Sequence, residues 1–164
     1  MQAALTGHLV FSTVHTNDAP SAYTRLLDLK VEEFLLNAAL VSIIAQRLVR
    51  KLCGDCSAPS KDSKRFIVDY NLAGLAKRSK VGSINLRQPV GCDCCGGTGY
   101  LGRVAVIEYL RCDDSVRAMP KGEQFLAEVR AYNKDQGLRD LLEDGLLKAL
   151  KGETSIDEVL RVCG

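Results

Sequence analysis

Seven cysteines are spread unevenly along 164 residues, and four of them form two spaced pairs. Cys53-Gly54-Asp55-Cys56 and Cys92-Asp93-Cys94-Cys95 each set two thiols at Cys-x2-Cys spacing, with residues 57–91 between them. A tight turn bearing two thiolates delivers two soft ligands at once, and two such turns complete the tetrahedron that zinc prefers. Four thiolates leave no position for water, so the spacing predicts a structural zinc rather than a catalytic one. Gly54 and Gly96 are expected to ease the sharp bends. Cys94 lies inside the second turn but out of register, as a competitor of Cys95. Cys112 and Cys163 have no partner spacing and read as small apolar fillers.

Phosphate chemistry is the next possibility, and the residues argue against it. A phosphate-cradling loop needs glycines that turn amides onto the ligand, then a Lys and a hydroxyl for charge and magnesium. The chain contains no Gly-Lys dipeptide, and after Gly97 to Gly102 the two decisive positions hold Arg103 and Val104. Residues 104–108 mimic a Walker B strand but read more simply as a half-buried strand. ATP hydrolysis by this chain alone is not expected.

The elements that would position these groups follow from periodicity and caps. Residues 8–14 are mostly apolar, with β-branched Val10, Thr13 and Val14, which predicts a central strand. Asp18 or Asn17 caps a helix running to about Leu29, with Pro20 tolerated in its first turn. Residues 32–52 predict a second helix, apolar on most sides, with Arg47, Arg50 and Lys51 at its negative end. The stretch 53–99 is glycine-rich and weakly periodic, with a short helix at 66–76 and a strand at 84–86. A strand follows at 100–110, then helices opening near Asp113, over 123–132 and over 138–150. Ser155 and Glu158 form a capping box for the last helix. Zinc should order the middle stretch, while the C-terminal helices, with their own caps and apolar faces, should depend on it less.

Bulk properties narrow the function. An apolar share of 46% is ordinary for a globular chain, and 22 Lys/Arg against 20 Asp/Glu leave a net charge of +2. With 5% aromatics and no Trp, neither a basic surface nor a base-stacking platform points to nucleic acid. Residues 47–87 carry ten Lys/Arg and three Asp, net +7. That stretch reads as a solvated face offsetting a zinc–tetrathiolate, with docking to acidic partners or anionic headgroups as the other reading. The N-terminus shows no targeting signal, and no apolar run approaches the about 20 residues that span a bilayer, which predicts a cytosolic chain.

Several segments together resemble one family. Thr6-Gly7-His8-Leu9-Val10-Phe11-Ser12-Thr13-Val14-His15-Thr16-Asn17-Asp18-Ala19 is similar to the His box of type II secretion and type IV pilus assembly ATPases. Ala45-Gln46-Arg47-Leu48-Val49-Arg50-Lys51-Leu52-Cys53 resembles the stretch before the family's first cysteine pair. The residues from Gly91-Cys92 through Gly102-Arg103, and then Ile107-Glu108-Tyr109-Leu110, resemble the second pair and the strand after it. Gly152-Glu153-Thr154-Ser155-Ile156-Asp157-Glu158-Val159-Leu160 resembles its C-terminal helix.

The resemblance implies an α/β chain in three parts. Residues 1–52 would be the C-terminal end of a RecA-like ATPase core, 53–99 a four-cysteine zinc module, and 100–164 a strand plus a small helical subdomain. It implies metal ligation by Cys53, Cys56, Cys92 and Cys95. It also implies that the Walker A and Walker B segments lie upstream of the His box, so ATP and Mg would be cofactors of a longer parent only. In that parent His8 and His15 would hold the His-box positions. Imidazole titrates near neutral pH and can sense or polarise a γ-phosphate. His15, followed by polar Thr16 and Asn17, is the better placed of the two. The parent would be a homo-hexameric cytoplasmic motor, held at the inner membrane by a platform protein and cytoplasmic recruiting proteins, serving secretion or pilus assembly. The alternative from another class is a stand-alone zinc-ribbon adaptor that binds a protein without chemistry.

Overall fold

The computed structural model describes residues 1–164. In chain order the helices are α1 (Gln2–Leu5), α2 (Ala19–Asp28), α3 (Glu33–Ala39), α4 (Ser63–Asp69), α5 (Leu72–Arg78), α6 (Asp114–Ala118), α7 (Phe125–Asp135), α8 (Leu141–Leu150) and α9 (Ile156–Cys163). The strands are β1 (Ser42–Leu52), β2 (Ala58–Pro59), β3 (Arg87–Gln88) and β4 (Tyr100–Arg111), and one 3-10 turn covers Asp93–Cys95. β1 pairs with β4, and β2 with β3. The Cys112 amide donates to the Val41 carbonyl (3.0 Å) and the Cys53 amide to the Gly99 carbonyl (2.9 Å), so β1 and β4 run antiparallel.

The chain divides into two compact units, each discontinuous in sequence. One comprises residues 1–45 and 108–140, the other residues 46–107 and 141–164. In the first unit Tyr23, Leu36, Leu110, Val116, Phe125 and Val129 form a buried cluster. In the second, Phe66, Leu72, Leu75 and Leu86 from the middle of the chain pack with Leu146, Leu150, Ile156 and Val159 from its end. The cysteine-bearing stretch therefore does have a core, and shares it with α8 and α9.

Local signals held at several helix starts. Asp18 caps α2, its Oδ1 accepting from the Ser21 amide at 2.8 Å, with Pro20 in the first turn. Asp113 caps α6 through the Val116 amide (3.1 Å). Ser155 caps α9 through the Glu158 amide (3.2 Å). The predicted box is only half made, because the Glu158 carboxylate turns to Arg50 and Arg161 instead.

Four expectations are corrected. Residues 32–52 are not one helix: α3 ends at Ala39, and 42–52 form β1. Burial along β1 alternates, with Val49 fully buried while Ile44 and Leu48 are half or more exposed, which is the two-residue period of a strand. Residues 8–16 form neither strand nor helix, and Leu9 and Phe11 are more than four-fifths exposed. A strand is defined by its neighbour, and none pairs with this segment here. The helix read at 66–76 is two helices, split where Asn71 takes φ +47°, and the strand read at 84–86 forms at 87–88 instead.

Candidate metal centre

The first cysteine pair leaves the end of β1, and the second rides on the 3-10 turn just before β4. The pairing of β1 with β4 therefore brings both turns to the same end of the sheet. β2 and β3 add a short clasp in register, Ala58 opposite Gln88 and Pro59 opposite Arg87. The sulfurs of Cys53, Cys56, Cys92 and Cys95 all lie within 4.8 Å of one another. Cys53–Cys92 is 3.8 Å, Cys56–Cys95 is 3.9 Å and Cys92–Cys95 is 3.7 Å. A tetrahedron with zinc–sulfur bonds of about 2.3 Å has edges of about 3.8 Å, whereas a disulfide needs about 2.05 Å. The donor set fits a four-coordinate soft metal and does not fit oxidised pairs.

Backbone amides complete the cluster. The Gly91 amide donates to Cys56 Sγ (3.3 Å), the Cys92 amide to Cys95 Sγ (3.2 Å) and the Gly99 amide to Cys95 Sγ (3.1 Å). Amides aimed at sulfur favour the thiolate, the form that binds metal. At Cys95 burial opposes ionisation, but the Cys92 and Gly99 amides and the neighbouring thiols outweigh it and hold the thiol down to about 6. At Cys56 burial and the other thiols push it up to about 11 against the Gly91 amide.

Glycine matters here at Gly96, which ends the 3-10 turn at φ +58° as expected, and also at positions sequence reading did not choose. Gly91 (φ +114°) and Gly99 (φ +74°) take left-handed conformations in tight quarters. A Cβ would lie 2.5 Å from the Gly97 carbonyl oxygen in the first case and 2.5 Å from Pro89 Cβ in the second. Gly54, singled out from its place between the first two cysteines, has neither a positive φ nor a close neighbour. The remaining cysteines stay outside the cluster. Cys94 is exposed, with its thiol on the Asp55 carboxylate, which raises its pKa. Cys112 is buried in the first unit, where burial pushes it up to about 11, and Cys163 borders the second unit's core.

The histidines are placed less tellingly. His8 is exposed, and its Nδ1 lies 3.2 Å from the Ala3 carbonyl and 3.1 Å from Thr6 Oγ1, closing the end of α1. His15 is exposed in the turn before α2. That turn is anchored by groups sequence reading missed. The first α2 amide, at Ala19, donates to the buried Glu108 carboxylate (3.0 Å), and Asp18 accepts from Arg130 (2.6 Å). Burial raises the Glu108 pKa against that amide, with Asp18 and Asp140 adding to the rise.

Comparison with known proteins decides the family. A family model described as type II/IV secretion system protein matches residues 1–161. The chain belongs to this family. Among curated members of the type II/IV secretion family, a type IV pilus assembly ATPase TfpB of Acinetobacter baylyi is 43% identical over 99% of this chain and 27% of its own length. The type IV pilus assembly ATPase PilB of Thermus thermophilus is 41% identical over 97% of this chain and 17% of its own. The type II secretion system protein E of Xanthomonas campestris is 42% identical over 99% and 28%. The chain thus spans less than a third of the length of these secretion and pilus relatives. No helix is long and apolar enough to cross a membrane.

Proposed function

We propose that this chain is the C-terminal part of a motor ATPase that powers type II secretion or type IV pilus assembly, and that it contributes a structural zinc centre. The observation that carries this reading is the family match over nearly the whole chain, with relatives named for both tasks. Cys53, Cys56, Cys92 and Cys95 hold the zinc, which ties the ends of β1 and β4 together and closes the loop between them. Residues up to about 52 complete a RecA-like core in the longer protein, whose nucleotide loop supplies ATP and Mg binding. His15, with His8 in support, faces the nucleotide there. The motor works as a homo-hexamer on the cytoplasmic side of the inner membrane, engaged by a platform protein and recruiting proteins.

Two measurements test this reading. Purified chain should carry close to one zinc, lost in Cys56→Ser and Cys92→Ser and kept in Cys163→Ser; zinc retained in either of the first two variants overturns the ligand set. The chain alone should show no ATP turnover, because no residue replaces the P-loop lysine and its glycines. The longer protein should hydrolyse ATP, with His15→Ala lowering kcat on the order of 10²-fold. Turnover by the chain alone that survives purification and disappears in His15→Ala overturns the division of labour.

A further inference from the structure

We propose that Arg87 is a positioning residue for the metal centre, clamping the backbone just past Cys56 so that the first cysteine turn keeps its ligand geometry. The inference rests on the zinc reading of the four cysteines. Ser57 directly follows Cys56, and its amide donates to the Cys53 carbonyl (3.1 Å), closing the turn on itself. Arg87 Nε donates to Ser57 Oγ at 2.9 Å, while Arg87 Nη2 donates to the Ser57 carbonyl. One guanidinium therefore grips both a side chain and the main chain of the residue after the ligand.

The clamp is itself held in place. Arg87 stands opposite Pro59 in the β2–β3 clasp, and the Ser60 amide donates to the Leu86 carbonyl (2.9 Å), so its backbone is fixed relative to the turn it grips. Its stem runs past Gly152, where a Cβ would come within 3.0 Å of Arg87 Cδ. The planar fork matters: two donors meet two acceptors on one residue, which the single ammonium of lysine does not reproduce. Groups that orient ligands from outside the coordination shell typically change metal affinity 10- to 100-fold when removed.

The test uses the whole chain loaded with cobalt(II). Its visible spectrum reads the geometry of the thiolate shell, and its transfer to EDTA reads how firmly that shell is held. Arg87→Lys and Arg87→Gln should release cobalt about 10 to 100 times faster than the unaltered chain, with altered ligand-field bands even at saturation. Ser57→Ala should show a smaller acceleration, since the carbonyl contact remains. Arg78→Gln removes an ion pair with Glu143 (2.9 Å) in the same unit and should leave spectrum and release unchanged, separating clamping from general stability. A wild-type spectrum and release rate in Arg87→Lys overturns the proposal. If the Arg87 variants do not fold, release from Ser57→Ala as slow as from the unaltered chain overturns it. Lack of a tetrathiolate spectrum in the unaltered chain overturns the zinc reading itself, and this proposal with it.

Discussion

Glu158 gathers four donors on one buried carboxylate. Oε1 accepts from the Arg50 amide (2.9 Å) and Arg161 Nη2 (2.7 Å), and Oε2 from Arg50 Nη2 (2.7 Å) and Arg161 Nε (2.8 Å). Burial opposes its charge, but the two guanidinium groups and the amide outweigh that and bring its pKa down to about 2. An unfolded glutamate titrates near 4.3, so this group stabilises the fold above that pH, and the stabilisation is lost as pH falls through about 2. Glu158→Gln should cost on the order of 3 kcal/mol at pH 7, trimmed by solvent at the half-exposed arginine ends. In urea unfolding the gap between variant and parent should be clearly smaller at pH 3 than at pH 7. An equal gap at both pH values would show that shape, not charge, is what the glutamine disturbs.

At the scale of elements, α8 offers a case where helix propensity and packing disagree. Gly145 sits mid-helix, where alanine would ordinarily gain about 1 kcal/mol. Here its absent side chain admits a neighbour: a Cβ would lie 2.6 Å from Val159 Cγ1 and 3.3 Å from Val106 Cγ1, both fully buried valines. Gly145→Ala should therefore lower stability, by about 1–3 kcal/mol, rather than raise it. A higher melting temperature in the variant would mean that α9 shifts freely. The same contrast explains what could be read from sequence. The four clustered cysteines were legible because a two-cysteine turn fixes their spacing locally, and the caps at Asp18, Asp113 and Ser155 because capping is local too. β1 was not legible: Ala45, Gln46, Arg47, Leu48 and Lys51 favour a helix in isolation, and only pairing with β4, some 50 residues on, makes them a strand. Arg87 on Ser57, Glu108 on Ala19 and Glu158 on Arg50 join residues 30, 89 and 108 apart, and no spacing rule reaches that far.

For the whole molecule the relevant fact is that the cysteine stretch and the C-terminal helices share one core. Residues 53–99 should therefore not unfold by themselves when metal is removed, contrary to the expectation from their glycine content. Hydrogen exchange after chelation should show protection falling together over 46–107 and 141–164, while α2 and α7, built on the other unit's cluster, keep more of theirs. Loss confined to 53–99 would show that the metal governs its own loop and nothing else.

The discontinuity of that unit has a consequence for how the chain is made. Every hydrogen bond to a ligand sulfur named above arises within residues 91–99, and the clasp that aligns the two turns uses only 58–59 and 87–88. Their supporting helices are made later: Cys163, at the end of α9, follows Cys95 by 68 residues, roughly 3–14 seconds of synthesis at about 5–20 residues per second. During that interval the nascent chain holds four reduced thiols with their amide donors already present but without α8 and α9 to pack against. Metal captured then would close the turns before their core is made, which would put ligand first and core second in the order of assembly. Helices α8 and α9, made afterwards, then complete the core that supports the turns.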